Sequence, residues 1–264
     1  MMKCVIKYVA VAITAFAVLG AAGLTASRAD EADAKRILKS MSDYLAGQKV
    51  ISLAFDADIE VITPELQKIQ FTSSGQVLLN RPDKLRAART GGYADVELVF
   101  DGKTLSILGK DENAFTQVDA AGSVDHLIDQ LRGKLRISMP GADLLFSRPY
   151  DELIEDVIDA KYIGRGVIDG IECEHLAFRN SDTDWQLWVE IGARPIPRKY
   201  VITSKAVAAA PQYTLRIKEW RTDVPVAADA FVFKPPEGAK KVTARELANL
   251  DEVPPGIVTG KEKK

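Results

Sequence analysis

The chain has 264 residues, of which 47% are hydrophobic and 27% are charged, and its formal net charge is −2. These proportions exclude an extended disordered chain, a collagen-like repeat and a small disulfide-stapled protein. The near-neutral charge also argues against a nucleic-acid partner, because neutralising phosphates requires clustered lysine and arginine.

Residues 1–29 have the pattern of a secretory signal peptide. They contain three basic residues, no acidic residue and 21 apolar residues. Lys3 and Lys7 precede an apolar run that closes with small residues at Ser27 and Ala29. The alternative is an uncleaved membrane anchor, since the apolar run approaches the length that spans a bilayer. We predict export to the periplasm and cleavage after Ala29, which leaves 32 basic and 37 acidic residues and a net charge of −5.

After the leader, the sequence predicts one amphipathic helix and then a series of strands. Between Glu31 and Leu45 the apolar residues recur at helical spacing, with Leu38 and Met41 among them. From Ile51 the apolar period changes to two, which is typical of half-buried strands. The strands predicted in this half are 51–61, 67–71, 76–80, 84–90, 96–100, 104–108 and 114–118.

Two helices are predicted in the middle of the chain. The later of these helices begins at Pro149. The earlier helix follows Ser123, which is a suitable N-cap, and it has an apolar stripe along one side. The stripe consists of Val124, Leu127, Ile128, Leu131 and Leu135.

Strands resume in the second half. Asp101-Gly102 and Asp169-Gly170 each join two apolar runs, a strong signal for short hairpins. Pro195 and Pro197 should interrupt or edge one strand pair. A short helix is predicted at 243–250. The later strands are predicted at 160–168, 171–179, 185–190, 199–204, 213–222 and 231–233.

This order predicts a mainly β fold with an α-helical lid. About a dozen antiparallel strands twist and coil into a barrel or an incomplete barrel, with helices covering its apolar concave face. Neither an internal repeat nor a domain linker is visible. We therefore predict a single domain over residues 30–252 and a disordered tail over residues 253–264.

The sequence offers no catalytic motif: there is no G-x-S-x-G, H-E-x-x-H, P-loop or C-x-x-C pattern. Cys173 is the only cysteine after the leader, and its alternating context favours a buried strand position over a nucleophile. A dyad with His175, on the same strand face, is the weaker alternative. We predict a non-enzymatic protein without a metal or cofactor.

What the pattern leaves open is the use of the apolar face. Trp185 and Trp188 point to opposite faces of one strand, so one fills the core and the other meets a helix, a cavity or water. The helices carrying Leu38 and Leu127 could cover the apolar face as a lid. That face either packs into a filled core or lines a cavity for an apolar ligand, and sequence periodicity does not distinguish the two.

Several motifs, in this order, resemble the LolA-like superfamily of periplasmic lipoprotein carriers. They are the run from Gly75 to Arg86 with its Arg-Pro turn, the Asp-Gly-Lys-Thr hairpin at 101–104 and the closing segment 230–238. The segments 173–178, 184–188 and 195–199 are similar to an uncharacterised family of exported bacterial proteins placed near that superfamily. The resemblance covers residues 35–240.

The resemblance implies an incomplete antiparallel β-barrel whose concave face holds acyl chains under a helical lid. It also implies that Arg81 hydrogen-bonds the lid and favours its closed state. The candidate lid and cavity residues are Arg81, Leu38, Met41, Leu127, Leu131 and Trp188.

Our leading hypothesis is a non-enzymatic periplasmic carrier of a lipid or an acylated protein. We expect a monomer that meets a delivery partner at the inner or outer membrane. The alternative is an envelope interaction or sensor module that binds a protein partner. A carrier requires a continuous apolar cavity under the helices, whereas an interaction module can have a filled core.

Overall fold

The computed structural model describes the backbone of residues 16–133, 139–244, 246–247, 250, 252–254 and 257, and the side chains from residue 30 onward. Leu135, the first 15 residues of the predicted leader and most of the predicted tail lie outside these residues. Cleavage after Ala29 and disorder of the tail therefore stay predictions.

The helices lie where the apolar periodicity placed them. They are α1 (Phe16–Ala46), α2 (Val124–Gly133) and α3 (Pro149–Ile154), with a short 3-10 helix at Ala142–Leu145 before α3. Helix α1 begins well before the predicted start at Glu31 and continues past Ala29. Among the described residues, no helix combines the length and apolarity that crossing a membrane requires.

Twelve strands form one sheet that does not close into a barrel. Its order is β12-β6-β5-β4-β3-β2-β1-β11-β10-β9-β8-β7. The strands are β1 (Val50–Ile62), β2 (Lys68–Asn80), β3 (Lys84–Gly91), β4 (Asp95–Phe100), β5 (Thr104–Gly109), β6 (Ala114–Asp119), β7 (Asp159–Ile168), β8 (Ile171–Arg179), β9 (Thr183–Glu190), β10 (Pro197–Ser204), β11 (Gln212–Thr222) and β12 (Lys240–Lys241).

The sheet consists of two antiparallel meanders, β1–β6 and β7–β11, joined by pairing of β1 with β11. The segment with α2, the 3-10 helix and α3 connects the meanders, and we call residues 124–154 the helical insertion. We call the side of the sheet that carries Leu53, Leu85 and Leu187 the inner face, and the opposite side the outer face. The predicted incomplete barrel with helices on one face is confirmed.

The turn signals are also confirmed. Asp169 and Gly170 have φ values of 49° and 80°, and this left-handed pair closes the β7–β8 hairpin. Gly102 has φ 90° in the β4–β5 hairpin. On β10 the register shifts between Pro197 and Lys199, as expected where proline cannot donate to the ladder.

Four predicted elements differ from the structure. The strands predicted at 67–71 and 76–80 are the single strand β2. The strand predicted at 231–233 is wrong, since this segment forms turns and irregular structure. Of the helix predicted at 243–250, the described residues form a turn in which the amides of Glu246 and Leu247 donate to the Thr243 carbonyl oxygen.

The segment that was expected to form a closing strand instead crosses the outer face. We call residues 226–242 the C-terminal strap. Arg86 on β3 donates to the Ala230 carbonyl oxygen over 3.1 Å, and the rings of Phe233 and Phe115 lie 5.3 Å apart. The strap then adds β12 to β6 in parallel, which covers one edge of the sheet.

The core lies between the inner face and the helices. Leu38, Met41 and Leu45 of α1 are fully buried and belong to one apolar cluster with α2 and the strands. Helix α1 packs on α3 and on the β7–β9 end of the sheet. The inner apolar face is therefore largely covered by the chain's own helices.

We predict that Met41→Ala lowers the free energy of unfolding by about 3 kcal/mol, because it leaves a cavity where a fully buried side chain was. Ser40→Ala, at an exposed neighbouring position of the same helix, should leave stability nearly unchanged. Urea unfolding monitored by tryptophan fluorescence measures both. Equal effects would contradict the packing of α1 on the sheet.

Candidate functional site

Four of the six candidate lid and cavity residues meet in the core beneath the helices. Leu38 and Met41 of α1 are fully buried, and Leu127 and Leu131 of α2 are exposed by 2% and 1%. All four belong to the cluster that covers the inner face. They fill the space below the helices with protein side chains, and their role as a displaceable lid stays a prediction.

Arg81 lies in the turn between β2 and β3 and reaches the helical insertion. Its Nη1 donates to the carbonyl oxygen of Leu145, the last residue of the 3-10 helix, over 2.7 Å. Its Nε donates to the Gln48 carbonyl oxygen between α1 and β1 over 3.2 Å. Burial lowers the pKa of Arg81, while Asp125 opposes this shift. Arg81 thus ties the sheet to both helical regions, and its role in favouring a closed lid stays a prediction.

The same turn also holds the start of the insertion. The amide of Val124 donates to the carbonyl oxygen of Pro82 over 2.8 Å. The β2–β3 turn therefore contacts both α2 and the 3-10 helix. Two polar contacts from one turn form a compact attachment point between the sheet and the insertion.

The insertion is bonded internally as well. Arg132 near the end of α2 pairs with Asp143 of the 3-10 helix over 2.8 Å. At the start of α2, the Asp125 carboxylate accepts hydrogen bonds from the Ser147 amide and hydroxyl over 3.0 and 2.5 Å. These contacts join α2 to the residues before α3, so the insertion can act as one unit.

An apolar cavity of about 510 Å³ lies beside the insertion. It is bounded by the ends of β1, β10 and β11 and by the chain that follows α2. Most of its lining is apolar, with two charged residues, Glu60 and Arg132. The main lining residues are Ile59, Ile62, Met139, Ile202, Tyr213 and Arg132.

A polar inner-face residue that was not among the candidates is Arg89 on β3. It pairs with Gly75 on β2 and Val96 on β4, both on the inner face. Its guanidinium contacts Glu252 and the Leu250 carbonyl from the C-terminal end. The sequence did contain a signal, because Leu85, Ala87 and Arg89 alternate along one face and only the last is charged.

The structure corrects the placement of Trp188. Trp188 lies on the outer face, whereas Trp185 on the same strand points into the core and stacks on Phe178 at 4.0 Å. The Trp188 ring stacks on His175 with 4.0 Å between centroids, and the Lys199 Nζ lies 4.9 Å from its centroid. Trp188 does not line the inner cavity, because strand parity directs it to the opposite side.

Cys173 is fully buried on β8, as predicted for a strand cysteine. Burial, together with Glu190, raises the pKa of its thiol to about 11. His175 bonds Gln186 rather than Cys173, with 2.9 Å between its Nε2 and the amide oxygen, and burial lowers its pKa. The contacts of His175 are with Gln186 and Trp188, and no Cys–His dyad is formed.

No group of three histidine, cysteine, aspartate or glutamate residues within the described part of the chain is arranged to hold a metal ion.

The chain belongs to the family described as "Predicted periplasmic protein (DUF2092)", whose model matches residues 34–244. This family membership confirms the expected resemblance to uncharacterised exported proteins, and it places the protein in the periplasm. The match spans both meanders and the helical insertion.

Individual similarities are more distant. An uncharacterised protein of Methanocaldococcus jannaschii is 24% identical over 227 residues, which cover 84% of this chain and 58% of that protein's length. LprF from Mycobacterium bovis is similar in structure with a TM-score of 0.47 and 15% identity, over 75% of this chain and 96% of that chain. A Pseudomonas aeruginosa MucA/MucB complex has a TM-score of 0.42 and 14% identity, over 76% and 61% of the two chains.

We predict that Cys173 reacts with a thiol reagent at pH 8 roughly 100-fold more slowly in the native protein than in urea. A pKa of about 11 leaves little thiolate, and burial restricts access. The measurement uses a Cys4→Ser chain, in which Cys173 is the remaining cysteine. The same chain with His175→Gln tests whether His175 activates the thiol. Fast native labelling that His175→Gln slows would contradict this account.

Proposed function

We propose that this protein is a non-enzymatic periplasmic binding protein for a lipid or the acyl chain of a lipid-modified protein. The ligand would enter between the sheet and the helical insertion. The observation that carries the proposal is the apolar cavity of about 510 Å³ at the edge of the insertion. Its volume lies within the range of small-molecule binding sites, and its lining suits an apolar chain.

The energetics of acyl-chain burial support this function. Each buried methylene contributes about 0.8 kcal/mol, so about ten of them give on the order of 8 kcal/mol before the costs of ordering. A short stretch of apolar wall is therefore sufficient for useful affinity. A carrier must also release its ligand, which favours a cover that can move.

The helical insertion is suited to be that cover. Its helices are joined to one another by Arg132–Asp143 and Asp125–Ser147, and the β2–β3 turn holds them to the sheet. If Arg81 releases Leu145, the insertion can shift without losing its internal contacts. Movement of this kind would extend the cavity toward Leu127 and Leu131, whose side chains now fill the core.

A second candidate function is an envelope interaction module that binds a protein partner. The observation that favours it is the dense filling of the inner face by Leu38, Met41, Leu127 and Leu131. In this alternative the insertion remains closed and the partner binds elsewhere. The two functions differ in whether a neutral apolar ligand gains access when the cover is loosened.

We expect Arg81→Leu to bind the uncharged dye N-phenyl-1-naphthylamine roughly tenfold more tightly than the wild type. Removing a hydrogen bond from a charged donor costs about 1.5 kcal/mol in the closed state, which raises the open population about tenfold. Fluorescence titration gives the affinity, and hydrogen exchange of residues 142–145 reports release of the 3-10 helix.

The matched control is Arg221→Leu, which removes an arginine of β11 paired with Glu219 over 2.8 Å and away from the insertion. It should bind the dye like the wild type. Unchanged dye affinity and unchanged exchange in Arg81→Leu would overturn the moving cover and favour the interaction module.

A further inference from the structure

Arg89 is an arginine on the apolar inner face of β3, where its neighbours on the same face are small or apolar. Gly75 pairs with it directly on β2, and the Phe55 ring lies over this glycine. A Cβ at Gly75 would come within 2.3 Å of the Phe55 Cζ, so glycine is required for this close approach. On the other side Val96 of β4 pairs with Arg89. An arginine in such a setting needs an anionic or carbonyl partner.

Its partners come from the C-terminal end of the chain. Arg89 Nη1 lies 3.1 Å from the Glu252 Oε1, and Nη2 donates to the Leu250 carbonyl oxygen over 2.5 Å. The side chains of Arg89 and Glu252 are only 21% and 15% exposed. The Arg89 Nε is buried without a hydrogen-bond partner, so the site retains an unused donor.

The same end of the chain also covers apolar inner surface. Leu247 is 7% exposed and belongs to the core cluster, and Leu250 packs against that cluster. A carboxylate with apolar groups close to it is the general form of an anionic amphiphile. The chain end therefore places on the inner face the same combination of groups that a fatty acid would bring.

Tyr213 is a second polar residue of the inner face. It lies on the inner face of β11 and lines the cavity of about 510 Å³. Burial raises the pKa of its phenol, and the Glu252 carboxylate raises it further. The hydroxyl therefore stays protonated and can donate a hydrogen bond. Tyr213 pairs with Ile59 of β1, whereas Arg89 lies in line with Gly75 of β2 and Phe55 of β1.

We propose that Arg89 forms the head-group subsite for an amphiphile with an anionic head, a carboxylate or a phosphate. In the ligand-free protein, Glu252 and the Leu250 carbonyl occupy this subsite. The inference rests on the proposed lipid-binding function and gives it a ligand class. An incoming anion replaces the Glu252 carboxylate at Arg89, so the buried guanidinium is paired in both states.

The test compares 12-NBD-stearate, which is anionic, with its methyl ester, which has the same chain and no charge. The full chain should bind the acid more tightly than the ester. Glu252→Gln should tighten binding of the acid roughly tenfold and of the ester less, because the competing carboxylate is gone. Arg89→Gln should bind acid and ester equally.

The matched control is Arg86→Gln. Arg86 is on the same strand but on the outer face, where it pairs with Glu97 over 2.6 Å. It should keep the wild-type preference for the acid. Competition of the labelled acid by oleate or by oleoyl lysophosphatidic acid then distinguishes a carboxylate head from a phosphate head, and displacement by either supports the subsite.

The outcomes separate this inference from the proposed function. Ester and acid binding equally in the wild type and in all variants would overturn the subsite while leaving lipid binding intact. No binding of either probe by any variant would overturn both. If Arg89→Gln does not fold, the subsite is tested instead by the affinity of Glu252→Gln for the acid and by hydrogen exchange of the wild type. Stearate should then increase exchange at Leu247 and Leu250 in the wild type, and unchanged exchange with unchanged affinity in Glu252→Gln would overturn the subsite.

Discussion

The structure depends on one constraint, which is that an open antiparallel sheet with an apolar inner face must have that face covered. A closed barrel would satisfy this by itself, but among the described strands the two meanders pair only through β1 and β11. Helix α1, the helical insertion and the end of the chain therefore provide the cover from outside the sheet. The cover is made of separate segments of the chain, and two of them are also held to the sheet by polar contacts.

Two arginines of the first meander provide those contacts on the inner side. Arg81 holds the insertion through the Leu145 carbonyl, and Arg89 holds the chain end through Glu252 and Leu250. Both guanidinium groups are partly buried, so each contact is stronger than a surface ion pair and costs more to break. In the proposed mechanism, a ligand with an anionic head and an apolar chain would offset that cost at Arg89. At Arg81, the hydrogen bond to Leu145 would form again after the ligand leaves. Binding and release would thus depend on local contacts, with the sheet itself unchanged.

Much of this architecture follows from sequence periodicity, and the failures have physical causes. Alternation from Ile51 to Val61 and the Asp-Gly turns were sufficient to predict the strands and hairpins, because local chemistry sets them. The segment 231–233 has strand composition, but it packs across the outer face through Phe233 and Phe115, which is a tertiary effect. The alternation of side chains along a strand predicted that Trp185 and Trp188 point to opposite faces of the sheet. It did not identify which of the two points into the core. The partner of Arg89 is distant in sequence, and no local pattern predicts such a contact.

The central claim is that the space between the sheet and its cover admits an amphiphile. The most direct measurement is native mass spectrometry of the protein released gently from the cell envelope, followed by incubation of the ligand-free form with phospholipid vesicles. The account predicts a one-to-one complex with an acyl-chain compound that carries an anionic group, either retained on isolation or taken up from the vesicles. Only the ligand-free mass, under both conditions and also for Arg81→Leu, would contradict it.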